Sequence, residues 1–290
     1  MRDIPPALAA RLNSGATTLC HVWKLTRADG LARGFTDHDR DLTIDGLVYA
    51  ARSALAPSEI EAALGLAVTG GEVAGALSDA SLTEGDLSDG LYDGARVETW
   101  LVDWSEPTLR ALVDVSSIGE VKRSLNAFTA ELRSLAHQLD QPSGRIYQSS
   151  CAADLGDARC GVDLTSAQVS IEVALGASTA GRLVCATPGF SDGAFVDGLA
   201  HVLTGARAGA RRRIRRHAGG ALDLWTPLGG APAAGDRVRL VVGCDKRFAT
   251  CHARFANAAN FRGFPHMPGN DYVLRYAAPG EAGQGGEVAR

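Results

Sequence analysis

The sequence predicts a mainly β fold with short helices. Short apolar runs rich in β-branched residues recur along the chain, and turn residues such as Asp-Gly pairs separate them. The segments with helical signals are short, so strands do not alternate with long helices as a parallel α/β fold requires. With 290 residues, the chain is long enough for about two domains.

The first elements indicate a helix followed by an antiparallel sheet. A helix is predicted over Pro5–Asn13, because proline is tolerated in a first helical turn and Gly15 lies just beyond the end. A strand is predicted over Thr17–Thr26. The run Leu42–Tyr49 predicts a hairpin whose two-residue turn is Asp45-Gly46.

The middle of the chain returns to strands after one short helix. Ser81-Leu82-Thr83-Glu84 fits a capping box, which predicts a short helix toward Leu91. Strands are then predicted over Arg96–Val102 and Arg110–Ser116. The run Phe128–Leu139 is predicted to begin as a strand and to end in a helical turn before Pro142.

The later part of the chain reads as a small β-rich block followed by a tail. Between residues 169 and 242, the strand-like runs SIEVAL, RLVCA, ALDLW and RVRLVV are separated by Gly-rich turns. This block has about the size of a small β-barrel. Residues 279–290 are Gly-rich and have no apolar pattern, which predicts a flexible tail.

Composition and charge exclude several classes of protein. The chain is 46% hydrophobic and 21% charged, as in ordinary folded proteins. No apolar run approaches the roughly 20 residues of a membrane helix, and the N-terminus lacks the apolar core of a secretory signal. We therefore expect that the protein has no membrane span and that it is made in the cytoplasm. A net charge of -4 gives no overall attraction to nucleic acid, so any contact with DNA would be local.

Four of the six cysteines form two pairs in polar, loop-like sequence: Cys151 with Cys160, and Cys244 with Cys251. Four thiolates suit either zinc or an iron-sulfur cluster. Structural zinc favours about two to four residues between paired cysteines, whereas these pairs enclose longer loops, which favours a larger centre. Spacing alone leaves open a cluster, zinc, and unligated or oxidised cysteines.

The surroundings of the six cysteines refine this reading. A large chain without an export signal disfavours a disulfide framework. Cys20 and Cys185 lie in apolar strand-like runs, which predicts buried free thiols. Three positive residues near the paired cysteines would offset the charge of four thiolates: Arg159, Lys246 and Arg247.

Two groups of polar residues could bind a metal or donate hydrogen bonds to its ligands, but a structural role is the favoured interpretation for both. Asp37-His38-Asp39-Arg40-Asp41 has metal-binding side chains, but neighbouring residues of an extended chain point to opposite faces, so a solvated turn with internal hydrogen bonds is expected. His252 and His266 lie in or near the second cysteine motif. They could donate hydrogen bonds to metal-bound sulfur, but the favoured interpretation is that they pack within the loop. No Gly-x-Ser-x-Gly motif accompanies them, and no catalytic residue is predicted.

Three motifs resemble a known family. They are Gly34–Leu42, Cys151–Gly161, and Gly243–Phe255 followed by Asn260–Asp271. In these stretches the chain is similar to phage and prophage tail-tip hub proteins of the baseplate, which include the hub proteins of gene transfer agents. The resemblance extends from about Thr17 to Tyr276, and its C-terminal motif is the most specific part.

The resemblance implies a structural tail-tip protein without catalytic activity. Such hubs form homotrimers that link a distal tail protein ring to the central tip or fiber protein, in the tail of an extracellular phage-like particle. Some hold a 4Fe-4S cluster, whose ligands here would be Cys151, Cys160, Cys244 and Cys251. Zinc is the alternative cofactor, and a metal- or cluster-dependent cell-wall hydrolase of a phage tail is the alternative function.

The resemblance and the element pattern together predict the domain organisation. Residues 1–164 form the tail hub portion with the first cysteine pair, and 165–240 form an inserted small β-barrel. Residues 241–278 return to the hub with the second pair, and 279–290 form the flexible tail.

One dense positive run lies in the predicted insert: Arg211, Arg212, Arg213, Arg215 and Arg216. An anionic partner is one interpretation, namely DNA passing through the tail channel, a cell surface or an acidic neighbouring subunit. The other is a solvated edge strand whose charges discourage unwanted pairing.

Overall fold

The computed structural model describes residues 4–15, 18–51, 56–57, 70–76, 83–123, 127–141 and 144–267, and confirms a mainly β fold with short helices. The predicted N-terminal helix is α1, Pro6–Asn13, which buries Leu8. Residues 279–290, for which a flexible tail is predicted, lie outside the described residues.

Within the described residues, the first sheet has nine strands in the order β3-β4-β2-β1-β7-β8-β9-β6-β5. Their bounds are β1 Leu19–Thr26, β2 Ala32–Thr36, β3 Leu42–Ile44, β4 Leu47–Ala50, β5 Ala56–Pro57, β6 Gly70–Ala76, β7 Arg96–Asp103, β8 Arg110–Arg123 and β9 Ala127–Ser134. The predicted hairpin is β3-β4, in which Asp45 and Gly46 both have positive φ, as a two-residue type I′ turn requires.

Strand β1 is an interior strand of this sheet and contributes residues to both of its apolar clusters. It pairs with β2 on one side and with β7 on the other. Trp23 and Leu25 pack into one apolar cluster with Tyr92, and Val22 packs into a second cluster with Tyr49. The position of Tyr49 requires a glycine on β2, because a Cβ on Gly34 would lie 2.8 Å from the tyrosine ring.

Two short helices adjoin strands of this sheet, α2 before β7 and α3 after β9. Helix α2, Glu84–Ser88, confirms the predicted short helix, and its cap is Thr83, whose hydroxyl accepts a hydrogen bond from the Asp86 N–H (3.2 Å). Ser81 of the predicted capping box lies outside the described residues. Helix α3, Leu135–Leu139, follows β9 directly, as the change from strand to helical pattern predicts.

A second sheet has six strands in the described part of the chain, in the order β10-β15-β12-β13-β14-β11. Their bounds are β10 Ser170–Ala174, β11 Arg182–Val184, β12 Leu199–Val202, β13 Arg211–Ala218, β14 Ala221–Leu224 and β15 Arg237–Val241. Just after β10, the Gly176 N–H donates to the Val184 carbonyl of β11 (2.7 Å), so the first and last strands of the sheet meet at one end. This confirms the barrel-like block.

The arginine run forms β13, and its interpretation as an edge strand is wrong. This strand pairs with β12 on one side and with β14 on the other. Alternation places Ile214 in the core while most arginines remain exposed, because an interior strand needs an apolar residue only on the face that it buries.

The described residues form two compact units. One is drawn from residues 1–143 and 171–241, and the other from residues 144–170 and 242–290. The second unit contains α4, Phe248–Phe255, and a 3-10 helix over Ala258–Asn260. The predicted domain boundaries at residues 164, 240 and 278 stay predictions. No helix in the described ranges is long and apolar enough to span a bilayer.

Candidate metal centre

The four paired cysteines line one small cavity in the second compact unit. Cys151 and Cys160 belong to the loop between α3 and β10, Cys244 follows β15, and Cys251 is in α4. All four are free thiols. The rest of the lining is largely apolar and includes Leu155, Val162, Phe255 and Phe261. The structure therefore brings together two cysteine pairs that are far apart in sequence.

Asp157 orders the loop that carries the first pair. Its carboxylate accepts hydrogen bonds from the backbone N–H groups of Cys160 (2.6 Å), Arg159 (2.9 Å) and Asp154 (3.0 Å). The bond from the Cys160 N–H is the main reason that the pKa of Asp157 is lowered. An aspartate that folds its own loop in this way fixes where the backbone of Cys160 lies.

Backbone pairing joins the two cysteine-bearing segments. The Cys151 N–H donates to the Lys246 carbonyl (2.8 Å), and the Ala152 N–H donates to the Arg262 carbonyl (3.1 Å). The Lys246 ammonium also donates to the Asp154 carboxylate (2.7 Å). Lys246 has a left-handed backbone (φ +62°), which turns the chain between Cys244 and α4.

Polar groups beyond the cysteines reach the sulfur atoms. The Asn257 amide donates to the Cys160 carbonyl (2.6 Å) and lies 3.7 Å from the Cys160 Sγ, while the Arg262 N–H donates to the Cys151 Sγ (3.4 Å). Sequence reasoning missed Asn257. Its only local signal is its place just after α4, where Ala256 has a left-handed backbone.

Burial and mutual proximity raise the pKa of two of the four thiols. Burial raises the pKa of Cys244. Burial also raises the pKa of Cys251, and the three other thiols of the cavity add to this effect. Four negative sulfurs at this site would therefore repel one another unless positive charge lay between them.

The donor set is that of a soft metal centre. Four sulfurs around one cavity suit zinc and iron-sulfur chemistry alike. Among the described residues, no group of three or more His, Cys, Asp or Glu side chains is already placed to hold a metal ion. Which metal the four cysteines bind stays a prediction.

The C-terminal motif packs against the first cysteine segment. The Phe264 N–H donates to the Gln148 carbonyl (2.9 Å), and the rings of Phe264 and Tyr147 are 4.7 Å apart. A glycine is needed here, because a Cβ on Gly263 would lie 2.5 Å from the Ser150 carbonyl oxygen. Residues 268–271 of the motif lie outside the described residues.

The remaining predicted sites are structural. Cys20 and Cys185 are buried free thiols, as predicted, and burial raises the pKa of each to about 11. His38 lies in a solvated turn, where its N–H donates to the Thr36 hydroxyl (3.1 Å) and its ring accepts from the Arg40 N–H (3.1 Å). The ring of His252 packs near Phe248, which supports the packing interpretation.

The arginine run consists of one largely buried side chain, that of Arg212, and four exposed ones. The Arg212 side chain is only 11% exposed and donates to the Asp89 carboxylate (3.2 Å) and to the Ser88 carbonyl (2.8 Å). The other four, Arg211, Arg213, Arg215 and Arg216, are exposed. Contact of this run with DNA stays a prediction.

Comparison with known proteins identifies the family. Residues 5–163, more than half of the chain, match the family described as "Baseplate hub protein, N-terminal attachment domain". The chain belongs to the phage baseplate hub family. Residues 193–271 match a second family, described as "Phage conserved hypothetical protein BR0599".

A solved structure extends the likeness of this hub protein to nearly its whole length. A chain from a structure titled "Virion of native gene transfer agent (GTA) particle" is 45% identical, with a TM-score of 0.86. The alignment covers 98% of the hub protein and 99% of that chain. No curated protein matches. The family gives the hub protein a structural role in a phage-type tail, as the resemblance predicts.

Proposed function

We propose that this hub protein is a non-catalytic tail-tip component that holds a 4Fe-4S cluster on Cys151, Cys160, Cys244 and Cys251. One observation carries the proposal: two loops far apart in sequence place four free thiols around one cavity. Structural cysteines without a metal would not need this convergence, since a buried free thiol packs as a small hydrophobe, as Cys20 and Cys185 do.

Two features support a cluster over zinc. Each cysteine pair encloses a longer loop than structural zinc usually uses. Hydrogen-bond donors from Asn257 and Arg262 approach two of the sulfurs, as donors commonly do around iron-sulfur clusters.

The proposed role of the cluster is to fasten the chain. When bound, a cubane cluster supplies four iron-thiolate bonds and a redox-active centre. Here it would tie the segment before the six-stranded sheet to the segment after it, which removes the entropic freedom of a long intervening chain. The backbone bonds between Cys151 and Lys246, and between Ala152 and Arg262, already align those segments.

The proposed assembly is a homotrimer that links the distal tail protein ring to the central tip protein. The support is the high identity, over nearly all of both chains, to a component of a gene transfer agent virion. We propose that this hub is likewise made in the cytoplasm and incorporated into the tail of an extracellular particle.

Anaerobic purification followed by iron, sulfide and zinc analysis tests the proposal. Wild-type protein is expected to contain about four irons and four sulfides per chain and to absorb broadly near 400 nm. Cys244→Ser should lose that absorption. Cys20→Ala is the control, since Cys20 is a buried free thiol that does not line the cavity, so its loss should leave the absorption unchanged.

Two results would contradict the proposal. Colourless protein with one zinc per chain would decide for the single ion. Release of peptidoglycan fragments by the purified protein, lost in Cys244→Ser, would instead support a metal-dependent hydrolase.

A further inference from the structure

A groove of about 790 Å³ lies within the first compact unit, between the segment around α2 and the six-stranded sheet. Its size falls within the roughly 300 to 1,000 Å³ of ligand-binding clefts. One wall contains Arg27, Asp29 and the chain from Leu87 to Asp93, and the other contains residues of β12 and β13 with Trp225. None of the proposed metal ligands lines it.

The β-sheet wall presents free positive charge. Arg211 is paired in register with His201, and Arg213 accepts a backbone hydrogen bond from Trp225 (3.0 Å), so these four side chains share one face of the sheet. In the described part of the chain, neither Arg211 nor Arg213 has a carboxylate within ion-pair distance. Burial lowers the pKa of His201, and the neighbouring Arg211 and Arg239 lower it further.

An exposed aromatic ring lies beside these charges. Trp225 is 61% exposed and lines the groove. Tryptophan and arginine are the residue types most enriched among the few that dominate binding at protein interfaces. The exposed indole on the β-sheet wall is therefore a suitable contact for an aliphatic or aromatic side chain.

The opposite wall is fixed and mixed in charge. Arg27 is nearly buried, donates to Asp29 (2.6 Å) and lies over the Tyr92 ring at 5.4 Å. Asp89 is 1% exposed and is neutralised by Arg207 and Arg212. This wall thus carries paired charges of both signs, whereas among the described residues no carboxylate pairs with Arg211 or Arg213 of the facing wall.

We propose that this groove binds an acidic peptide segment of a neighbouring tail protein. Carboxylates of the segment pair with Arg211 and Arg213, an apolar side chain packs on Trp225, and the backbone of the segment faces the polar wall. The proposal rests on the proposed role of the chain as a tail hub, and it names the chemistry of one partner surface.

Charge favours a peptide over DNA. A nucleic acid carries a negative phosphate every few ångströms. Some of these phosphates would therefore lie against Asp29 and Asp93, whose negative charges repel them. A peptide can instead direct carboxylates to one wall and N–H groups to the other. Nucleic acid is therefore the alternative that the experiment has to separate.

Fluorescence anisotropy with the full-length protein tests the proposal. The probes are a labelled oligoglutamate peptide that ends in leucine, and a labelled oligothymidylate of equal charge. The test variant is Arg211→Gln with Arg213→Gln. The control is Arg215→Gln with Arg216→Gln, which removes the same charge from the same strand but from exposed residues that do not line the groove.

We expect the peptide to bind the wild type and the control equally, and the test variant at least about tenfold more weakly. Trp225→Phe should remove the change in intrinsic fluorescence that accompanies binding. Equal weakening by both double variants, or no binding to the wild type, overturns the proposal. Tighter binding of oligothymidylate that depends on Arg211 and Arg213 also overturns it, in favour of nucleic acid.

Cluster content and incorporation into tails, measured on the same preparations, keep the two proposals separate. Absence of peptide binding by wild-type protein that contains iron and assembles into tails counts against the groove alone. Absence of iron in protein that binds the peptide counts against the metal centre alone.

Discussion

Asn257 is the residue that joins the two halves of the candidate metal centre most directly. Its amide reaches the carbonyl and the sulfur of Cys160, 97 positions earlier in the chain, and its carbonyl oxygen lies 3.4 Å from the Cys251 Sγ. Asn260 orients that amide through a hydrogen bond to its oxygen (2.8 Å). Asn257 therefore contacts two proposed ligands, Cys160 through its side chain and Cys251 through its backbone carbonyl.

Asn257→Ala is expected to loosen the centre without removing a ligand. The Cys160 carbonyl would lose a donor, at a cost of about 1 kcal/mol, and one sulfur would lose its amide neighbour. The measurement is the rate at which the absorption near 400 nm decays in air. His252→Ala is the control, since His252 packs near Phe248 and is exposed; an equal decay rate in both variants would contradict the role of Asn257.

Residues such as Asn257 could not be predicted from the sequence. The cysteine quartet was recognisable because paired cysteines in polar loops are unusual, and the family resemblance implied that they are metal ligands. An asparagine after a short helix has no such distinction, since its partner is fixed only when the chain has folded. The same holds for Asp89, which sequence reasoning did not single out.

At the scale of elements, a buried ion pair connects α2 to the six-stranded sheet. The Asp89 carboxylate, just beyond α2, accepts from Arg207 and Arg212 (3.2 Å each) and from the Gly229 N–H (2.6 Å). The side chain is 1% exposed. Removing one partner of a buried ion pair costs far more than removing an exposed pair, because the remaining charges stay buried.

Asp89→Asn is therefore expected to lower the free energy of unfolding by about 3 to 5 kcal/mol. Urea denaturation followed by circular dichroism measures it. Glu172→Gln provides a matched control, because Glu172 also pairs with two arginines, Arg237 and Arg239, but on an exposed surface. Comparable losses in the two variants would show that Asp89 is not a buried anchor.

The strands illustrate which elements a sequence reveals. Runs with clear alternation or an Asp-Gly turn, such as β1 and the β3-β4 hairpin, were predictable to within a few residues. Strands β2 and β12 were not predicted; in β2, Gly34 interrupts the apolar pattern. The exposed arginines of β13 suggested an edge strand. In the structure β13 pairs with β12 and with β14, and Ile214 on its inner face is buried.

At the scale of the whole molecule, the order of pairing was beyond the sequence. Strand β1 pairs with β7 although about seventy residues separate the two strands in sequence. The two cysteine segments likewise meet although the six strands β10 to β15 lie between them in the sequence. Which distant segments pair depends on how much apolar surface all the elements bury together in the folded chain. The family resemblance supplied the convergence of the cysteines that spacing alone left open, and the comparisons confirm that family.

The central claim is that four thiols hold one inorganic cluster in a structural hub. A high-resolution reconstruction of a tail tip assembled with this chain tests it most directly. We predict three copies of the chain between the distal ring and the central tip protein, each with compact density, stronger than that of protein, that touches Cys151, Cys160, Cys244 and Cys251. A single-atom peak among those sulfurs, disulfide density or a chain placed outside the tail would contradict the account.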